Sequence, residues 1–265
     1  MKTRLDVRMT ELGIAETREK ARALIMEGSV YVDGMKASKA GEMVRENCVI
    51  ELAGSPIAFV SRGGLKLDKA IRVFGIDLNG RICADIGAST GGFTDCMLQH
   101  GAIRVFSIDV GYGQLHWKLR SDERVVAMER KNARFIDRDW FPVLPDFASV
   151  DTSFISLNLI LPPLYNVLPE TAEVVALIKP QFEAGRDQVG KNGVVRDPEI
   201  HSSVISNVLS SSVANGYSVT GLDYSPIKGP KGNIEFLVYL TKGDQTRQYI
   251  PDIERVVRAA HEEHG

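Results

Sequence analysis

From residue 82 onward, short apolar runs of strand length alternate with longer stretches of helical periodicity. The runs are Ile82 to Ala88, Val105 to Val110, Val125 to Met128, Phe147 to Val150, Val174 to Ile178, Tyr217 to Leu222 and Phe236 to Leu240. Near-continuous apolar runs suit strands covered on both faces, and the stretches between them suit crossover helices. The pattern predicts an α/β fold built on a doubly wound, Rossmann-like sheet of seven strands. The last two runs are joined by Tyr224 to Asn233, which holds Pro226, Gly229, Pro230 and Gly232 and leaves no room for a crossover helix. These two strands are expected to pair as a hairpin, which makes one strand of the sheet antiparallel.

The amino-terminal part reads differently. Leu5, Val7 and Leu12 mark one helical stretch, Thr17 to Glu27 a second, and Ser29 to Asp33 a short strand. Thr17 is placed to cap the second helix, Gly28 lies at its carboxyl end, and Asp33-Gly34 supplies a hairpin turn. Residues 1–55 are therefore expected to form a small α+β domain, residues 56–62 a linker, and residues 63–265 the large domain. Gly63 to Phe74 has helical periodicity and carries Lys66, Lys69 and Arg72 against the single acid Asp68, so a locally positive helix leads into the sheet.

The composition, 44% hydrophobic and 25% charged over 265 residues, is that of an ordinary globular protein with ample core material. The net charge of −2 means that any contact with nucleic acid has to come from a local basic patch, not from a global positive field. Cys48, Cys83 and Cys96 are odd in number and lack Cys-x-x-Cys spacing, which argues against a disulfide framework or a zinc site and for a reducing cytoplasm. The segment Met1 to Thr10 is studded with Lys2, Arg4, Asp6 and Arg8 and contains no apolar signal core. Leu157 to Leu168 is interrupted by Pro162 and Pro163 and falls short of the about 20 apolar residues a bilayer span needs, so no membrane partner is expected. The histidines are read as having no carboxylate or cysteine at ligand spacing, so no metal is expected either. Trp117 and Trp140 are read as packing residues, and the Pro162-Pro163 pair as a helix start.

The chemistry points to a nucleoside cofactor. Cys83 to Thr94 reads as strand, glycine turn and helix, and Asp109 closes the next apolar run. Glycines let backbone approach a ligand closely, and an acid at the end of the second strand can bind ribose hydroxyls. The glycines are spaced Gly-x-x-x-Gly-Gly, which matches neither a pyrophosphate cradle nor a triphosphate loop. S-adenosylmethionine, which has no phosphates, suits the pattern.

In open sheets of this kind ligands bind beyond the carboxyl ends of the strands. Asp151 follows the fourth run, Lys179 the fifth, Glu235 lies at the mouth of the last strand, and Lys66 sits on the helix leading into the sheet. Two lysines and two carboxylates can converge there. Methylating a ribose 2'-hydroxyl requires a neutral base beside a very weak acid; lysine, ordinarily near pKa 10.4, becomes one when burial or a like charge disfavours its ammonium form. One lysine would then act as base, with the second cation and the two acids fixing orientation and charge balance.

The order Lys66, Asp151, Lys179, Glu235, together with Asp85-Ile86-Gly87 and Gly91-Gly92-Phe93-Thr94, resembles the FtsJ-like 2'-O-ribose methyltransferases and their Lys-Asp-Lys-Glu tetrad. Arg4-Leu5-Asp6, Thr17 to Arg22 and Gly28 to Gly34 resemble the S4 RNA-binding domain. As a whole the chain is similar to the TlyA family, long labelled haemolysins and understood as ribosomal RNA 2'-O-methyltransferases acting on cytidine. The resemblance implies methyl transfer from S-adenosylmethionine to ribosomal RNA or ribosomal subunits, with Lys179 as the base. It implies a cofactor site made by Asp85, Gly87, Ser89, Thr90, Gly91, Gly92 and Phe93 on the methionine side, Asp109 at the ribose and Asn132 near the adenine. RNA contacts are expected from Arg4, Arg18, Lys20, Arg22, Lys36, Lys39 and Arg62. Asp151-Thr152-Ser153-Phe154 departs from the Asp-Met-Ala-Pro of the broader FtsJ pattern and leaves the nucleobase contacts open. Two rivals, a pore-forming haemolysin and a catalytically silent RNA-binding protein, are disfavoured by the lack of a bilayer-length segment and by the intact tetrad.

Overall fold

In the computed structural model the described residues are 2–33, 35–45, 48–52, 59–185, 187–243 and 249–264. The turn expected at Gly34 and the first half of the expected linker, residues 56–58, lie outside them. The chain divides into two compact units, Met1–Ile57 and Ala58–Gly265.

The first unit runs β1 (Lys2–Arg4), α1 (Leu5–Glu11), α2 (Arg18–Met26), β2 (Val30–Val32), β3 (Met35–Lys36), β4 (Met43–Arg45) and β5 (Ile50–Leu52). Thr17 caps α2 by accepting the Lys20 backbone N–H at 3.2 Å, the bond a helix start otherwise lacks. Leu5, Met9, Ala21, Ile25 and Val30 form its core. Two small sheets are present where the sequence suggests one: β1 pairs antiparallel with β4, and β2 pairs with both β3 and β5. The extra pair arises from Lys2–Arg4, a stretch too short and too charged for periodicity to mark as a strand.

The second unit starts with the packed segment Phe59 to Arg62: Phe59 is buried in the core, and the Val60 N–H donates to Asp95 Oδ2 at 2.8 Å. Then follow α3 (Gly63–Phe74), β6 (Ile82–Ile86), α4 (Gly92–Gln99), β7 (Arg104–Asp109), α5 (Trp117–Arg120), β8 (Val125–Glu129), β9 (Phe147–Val150), α6 (Leu161–Val167), β10 (Glu173–Ile178), α7 (Pro180–Glu183), α8 (Pro198–Ala214), β11 (Tyr217–Tyr224), β12 (Phe236–Lys242) and α9 (Ile253–His264). The proline pair Pro162-Pro163 falls in the first turn of α6, where a missing N–H costs nothing.

The seven strands are ordered β11-β12-β10-β9-β6-β7-β8. β12 runs antiparallel to both its neighbours, and the other contacts are parallel. Alternation along β6 sends Ala84 and Ile86 to a core layer that also holds Leu164 and Ile205, and Cys83 to the layer that holds Leu67 and Met97 of α3 and α4. The chain order reverses between β6 and β9, and the carboxyl ends of those strands are where a doubly wound sheet opens a ligand crevice.

Candidate active site

The topology accounts for the convergence of the charged residues. Asp151 and Lys179 each follow the last residue of a parallel strand, β9 and β10. β12 runs the other way, so its entrance lies at the edge where those two strands exit, and the pairing of Ile178 with Phe236 sets Glu235 beside Lys179 in the register. The fourth member, Lys66, comes from the first turn of α3.

The structure joins the four as two pairs. Lys66 Nζ donates to Glu235 Oε2 at 2.5 Å, and Lys179 Nζ lies 2.5 Å from Asp151 Oδ1 and 3.3 Å from Ser153 Oγ. Lys66, Lys179 and Glu235 are buried. Burial works against the charge on Lys66, but Asp151 and Glu235 together outweigh it and hold its ammonium form above the ordinary lysine range. Asp151 therefore acts on both lysines and couples the pairs. Arg62, just before α3, lies within electrostatic reach of Lys66.

A cavity of about 490 Å³ opens at the same edge, and Asp151 and Ser153 line it, so the four charged residues meet it through Asp151. Its wall includes Gly87, Ser89, Asp109 and Asn132. Gly87 has φ +86°, and a side chain there would meet the Asp151 carbonyl oxygen at 2.6 Å, so the ends of β6 and β9 approach this closely only because the residue is glycine. The Asp109 carboxylate accepts the Ser89 N–H at 2.8 Å on one oxygen and the Gly111 N–H at 2.7 Å on the other. Each oxygen keeps a lone pair, which matches a vicinal diol. Asn132 Oδ1 accepts the Arg134 N–H at 3.0 Å, which fixes the amide at the far wall.

Of the other expected cofactor residues, none of which is on the cavity wall, Asp85, Gly91, Gly92 and Phe93 are buried behind the loop and Thr90 is exposed on it. Asp85 is fully buried and accepts from the Thr94 backbone and hydroxyl at 2.9 and 2.7 Å and from Ser149 Oγ at 3.2 Å, tying α4 to the sheet. Gly91 lies against Leu115 and Leu119, Gly92 against Ser61, and Phe93 is in the core. Thr90 accepts the His116 N–H through its carbonyl oxygen.

Burial pushes the Asp85 carboxyl up to about 7 against the pull of its hydroxyl and amide donors. The folded chain then keeps a proton that the unfolded chain releases near pH 4, so this group removes stability as pH rises from about 4 to 7, with no further loss above. Asp85→Asn is expected to flatten that slope. Urea midpoints at about pH 5 and about pH 8 measure it, and a mutant-to-wild-type difference unchanged between them would contradict the assignment.

Some features were not foreseeable from residue type. Phe154 is 90% exposed, has φ +64° and packs against Phe182 with ring centroids 5.0 Å apart at the cavity rim. A non-glycine residue in this backbone region costs about 1–3 kcal/mol, and such strain concentrates at ligand sites. Trp117, read as a packing residue, is 74% exposed; Trp140 is partly buried with Lys131 Nζ 4.6 Å over its ring. Glu129 pairs with Arg120 at 2.5 Å.

In the first unit, Arg4, Arg18 and Arg22 all donate to the buried carboxylate of Asp6, at 3.0, 3.1 and 3.1 Å. Arg4 foremost, with Arg18 and Arg22, holds Asp6 well below the usual carboxylate range although burial opposes its charge. The three guanidiniums stay about half exposed and are fixed side by side. Lys20 pairs with Glu16 at 2.9 Å, Lys36 lies over Gly28, and Lys39 is exposed.

The FtsJ-like methyltransferase family matches residues 59–242, and the S4 domain family matches residues 3–50. The chain is 51% identical to YqxC of Bacillus subtilis over 98% of its own length and 94% of the relative. It is 41% identical to the 16S/23S rRNA (cytidine-2'-O)-methyltransferase TlyA of Mycobacterium tuberculosis over 90% of each chain. A structure from Streptococcus thermophilus, solved under a hemolysin name, superposes with a TM-score of 0.80 at 50% identity, covering 99% of this chain and 96% of that one. No helix among the described residues is long and apolar enough to cross a membrane. The chain is a member of the FtsJ-like methyltransferase family, in its TlyA branch, with an S4 domain ahead of the methyltransferase domain.

Proposed function

We propose that the protein methylates the 2'-hydroxyl of a cytidine ribose in ribosomal RNA, with S-adenosylmethionine as the methyl donor. The observation that carries this reading is the Lys179–Asp151 pair at the wall of the cavity bounded by Gly87 and Asp109. The name of the Mycobacterium tuberculosis relative supports the choice of atom and nucleotide. Asp109 would hold the ribose diol of the donor, Gly87 would admit its backbone-close portion, and Asn132 would face its base. Bound there, S-adenosylmethionine supplies an electrophilic methyl group and leaves as a neutral thioether.

The chain's own residues do the rest. Glu235 holds Lys66 as a fixed ammonium, which leaves Lys179, in its neutral amine form, as the group to take the hydroxyl proton onto Nζ. Asp151, between the two lysines, orients Lys179 and stabilises the ammonium that forms. General-base assistance of this kind contributes about 10²- to 10⁴-fold, and alignment of the reacting atoms adds to it. The first domain would grip structured RNA through Arg4, Arg18, Arg22, Lys20, Lys36 and Lys39, with Arg62 contributing from the second. Asp6 keeps three of these guanidiniums aligned, and each retains outward donors for a phosphate. A reaction on ribosomal subunits takes place in the cytoplasm.

Phe154 is the residue we assign to stacking on the target base, because an exposed ring held at a strained backbone angle beside the base lysine offers a π face to a splayed nucleotide. Phe154→Ala is expected to raise KM for ribosomal subunits by the equivalent of about 1–3 kcal/mol, with Phe154→Tyr close to wild type. Equal KM in all three proteins would remove the ring from recognition. Tritiated methyl transfer to isolated subunits, followed by mass-spectrometric mapping of ribose methylation, tests the function as a whole. A hemolysin name attaches to two of the similar structures, and leakage of liposomes by nucleic-acid-free protein would favour that reading instead.

A further inference from the structure

Away from the tetrad, on the outer side of the sheet, α3 and α4 lie side by side, and three potential metal-ligating groups meet between them. Cys96 and His100 are four residues apart on α4, the spacing that puts two side chains on one helix face, with His100 as the residue that caps the helix end. Asp68 faces them from α3, and its Oδ1 lies 3.0 Å from His100 Nε2. One ligand atom from each of Asp68, Cys96 and His100 lies within 4.8 Å of the others. The structure thus corrects the sequence reading that left His100 without a cysteine or carboxylate in reach.

We propose that Asp68, Cys96 and His100 form a binding site for a thiolate-accepting divalent metal ion of the zinc class. One sulfur, one imidazole nitrogen and one carboxylate oxygen are ligand types that such an ion takes together, and three protein ligands leave a fourth tetrahedral position for water. In a tetrahedral site with ordinary Zn–S and Zn–N lengths the ligand atoms stand about 3.5 Å apart, so small side-chain rotations bring the three groups to bonding positions. The sulfur side is closed, since Cys96 is fully buried, while His100 and Asp68 are 31% and 22% exposed and give water and the ion a way in. Arg72 Nε donates to the second oxygen of Asp68 at 3.0 Å, which orients the carboxylate and leaves Oδ1 for the ion. Binding would release the Cys96 thiol proton to solvent as the sulfur becomes a thiolate. The ion would clamp α3, the helix that carries Lys66, to α4.

Titration of the full-length protein with Co²⁺ tests this directly. The wild type is expected to take up one equivalent, with a thiolate-to-cobalt charge-transfer band and the intense visible bands of a tetrahedral ion, and added Zn²⁺ is expected to bleach both. Cys96→Ser should lose the charge-transfer band. His100→Ala, at a partly exposed ring outside the core, should weaken uptake at least about tenfold, and Zn²⁺ should raise the melting temperature of the wild type more than that of this variant. A wild-type titration without the charge-transfer band would overturn the proposal and leave a plain Asp68–His100 hydrogen bond. Undiminished affinity in His100→Ala would overturn it as well.

Discussion

Lys179→Ala is expected to cut methyl transfer by at least about 10²-fold while leaving affinity for the donor within a few-fold of wild type. The asymmetry follows from geometry. Lys179 touches Asp151 and Ser153, and the cavity wall that would hold the donor, Gly87, Asp109 and Asn132, does not depend on its side chain. A base contributes only as the hydroxyl proton leaves, so its removal lowers kcat and kcat/KM together and spares ground-state binding. Single-turnover transfer of labelled methyl groups and calorimetric titration of the donor separate the two quantities. Transfer at the wild-type rate would exclude Lys179 as the base, and a matching collapse of donor affinity would turn it into a structural residue of the pocket.

Glu235→Ala should have the largest effect on stability, about 3–5 kcal/mol, because it strands the buried ammonium of Lys66 without its closest counter-charge. Asp151 offsets part of this loss, since it also attracts Lys66. The sign of the pH dependence distinguishes this explanation from simple loss of packing. Because the folded chain holds the Lys66 proton more tightly than the unfolded one, the stabilisation is complete below the unfolded lysine value, near pH 10.4, and is lost as pH rises through the higher folded value. Wild-type stability should therefore fall above about pH 10 more steeply than that of Glu235→Ala. Parallel slopes for the two proteins in denaturant melts across that range would show that the charge pair is not the cause.

The sheet was legible in the chain because its inner strands are buried on both faces and show as apolar runs, and because Tyr224 to Asn233 is too short and too rich in proline and glycine for a crossover. The charges at the strand ends were legible for a related reason: a polar residue directly after a buried strand stands at the sheet edge. Their partners were not. Glu16 and Glu19 are the near neighbours that would offset Arg18 and Arg22, yet both arginines reach Asp6, and neither local spacing nor charge count predicts a bond across 12 or 16 residues. Phe154 could be named as a departure from the family pattern, but its positive φ and its exposure depend on how the end of β9 turns over the cavity. The same holds for Trp117, whose apolar character suggests burial and whose position on a four-residue surface helix prevents it.

Periodicity and turn chemistry along the chain thus carry the class of fold, the single reversed strand and the charged residues that stand at the strand ends, since each follows from which face of an element must leave water. The division of the tetrad into Lys66–Glu235 and Lys179–Asp151, the sharing of Asp6 by three arginines and the meeting of Asp68 with Cys96 and His100 come from the packed molecule alone. Ion pairs and ligand clusters form between groups that register and helix packing bring within a few ångströms, and those separations are set by the whole fold and by no local stretch of chain.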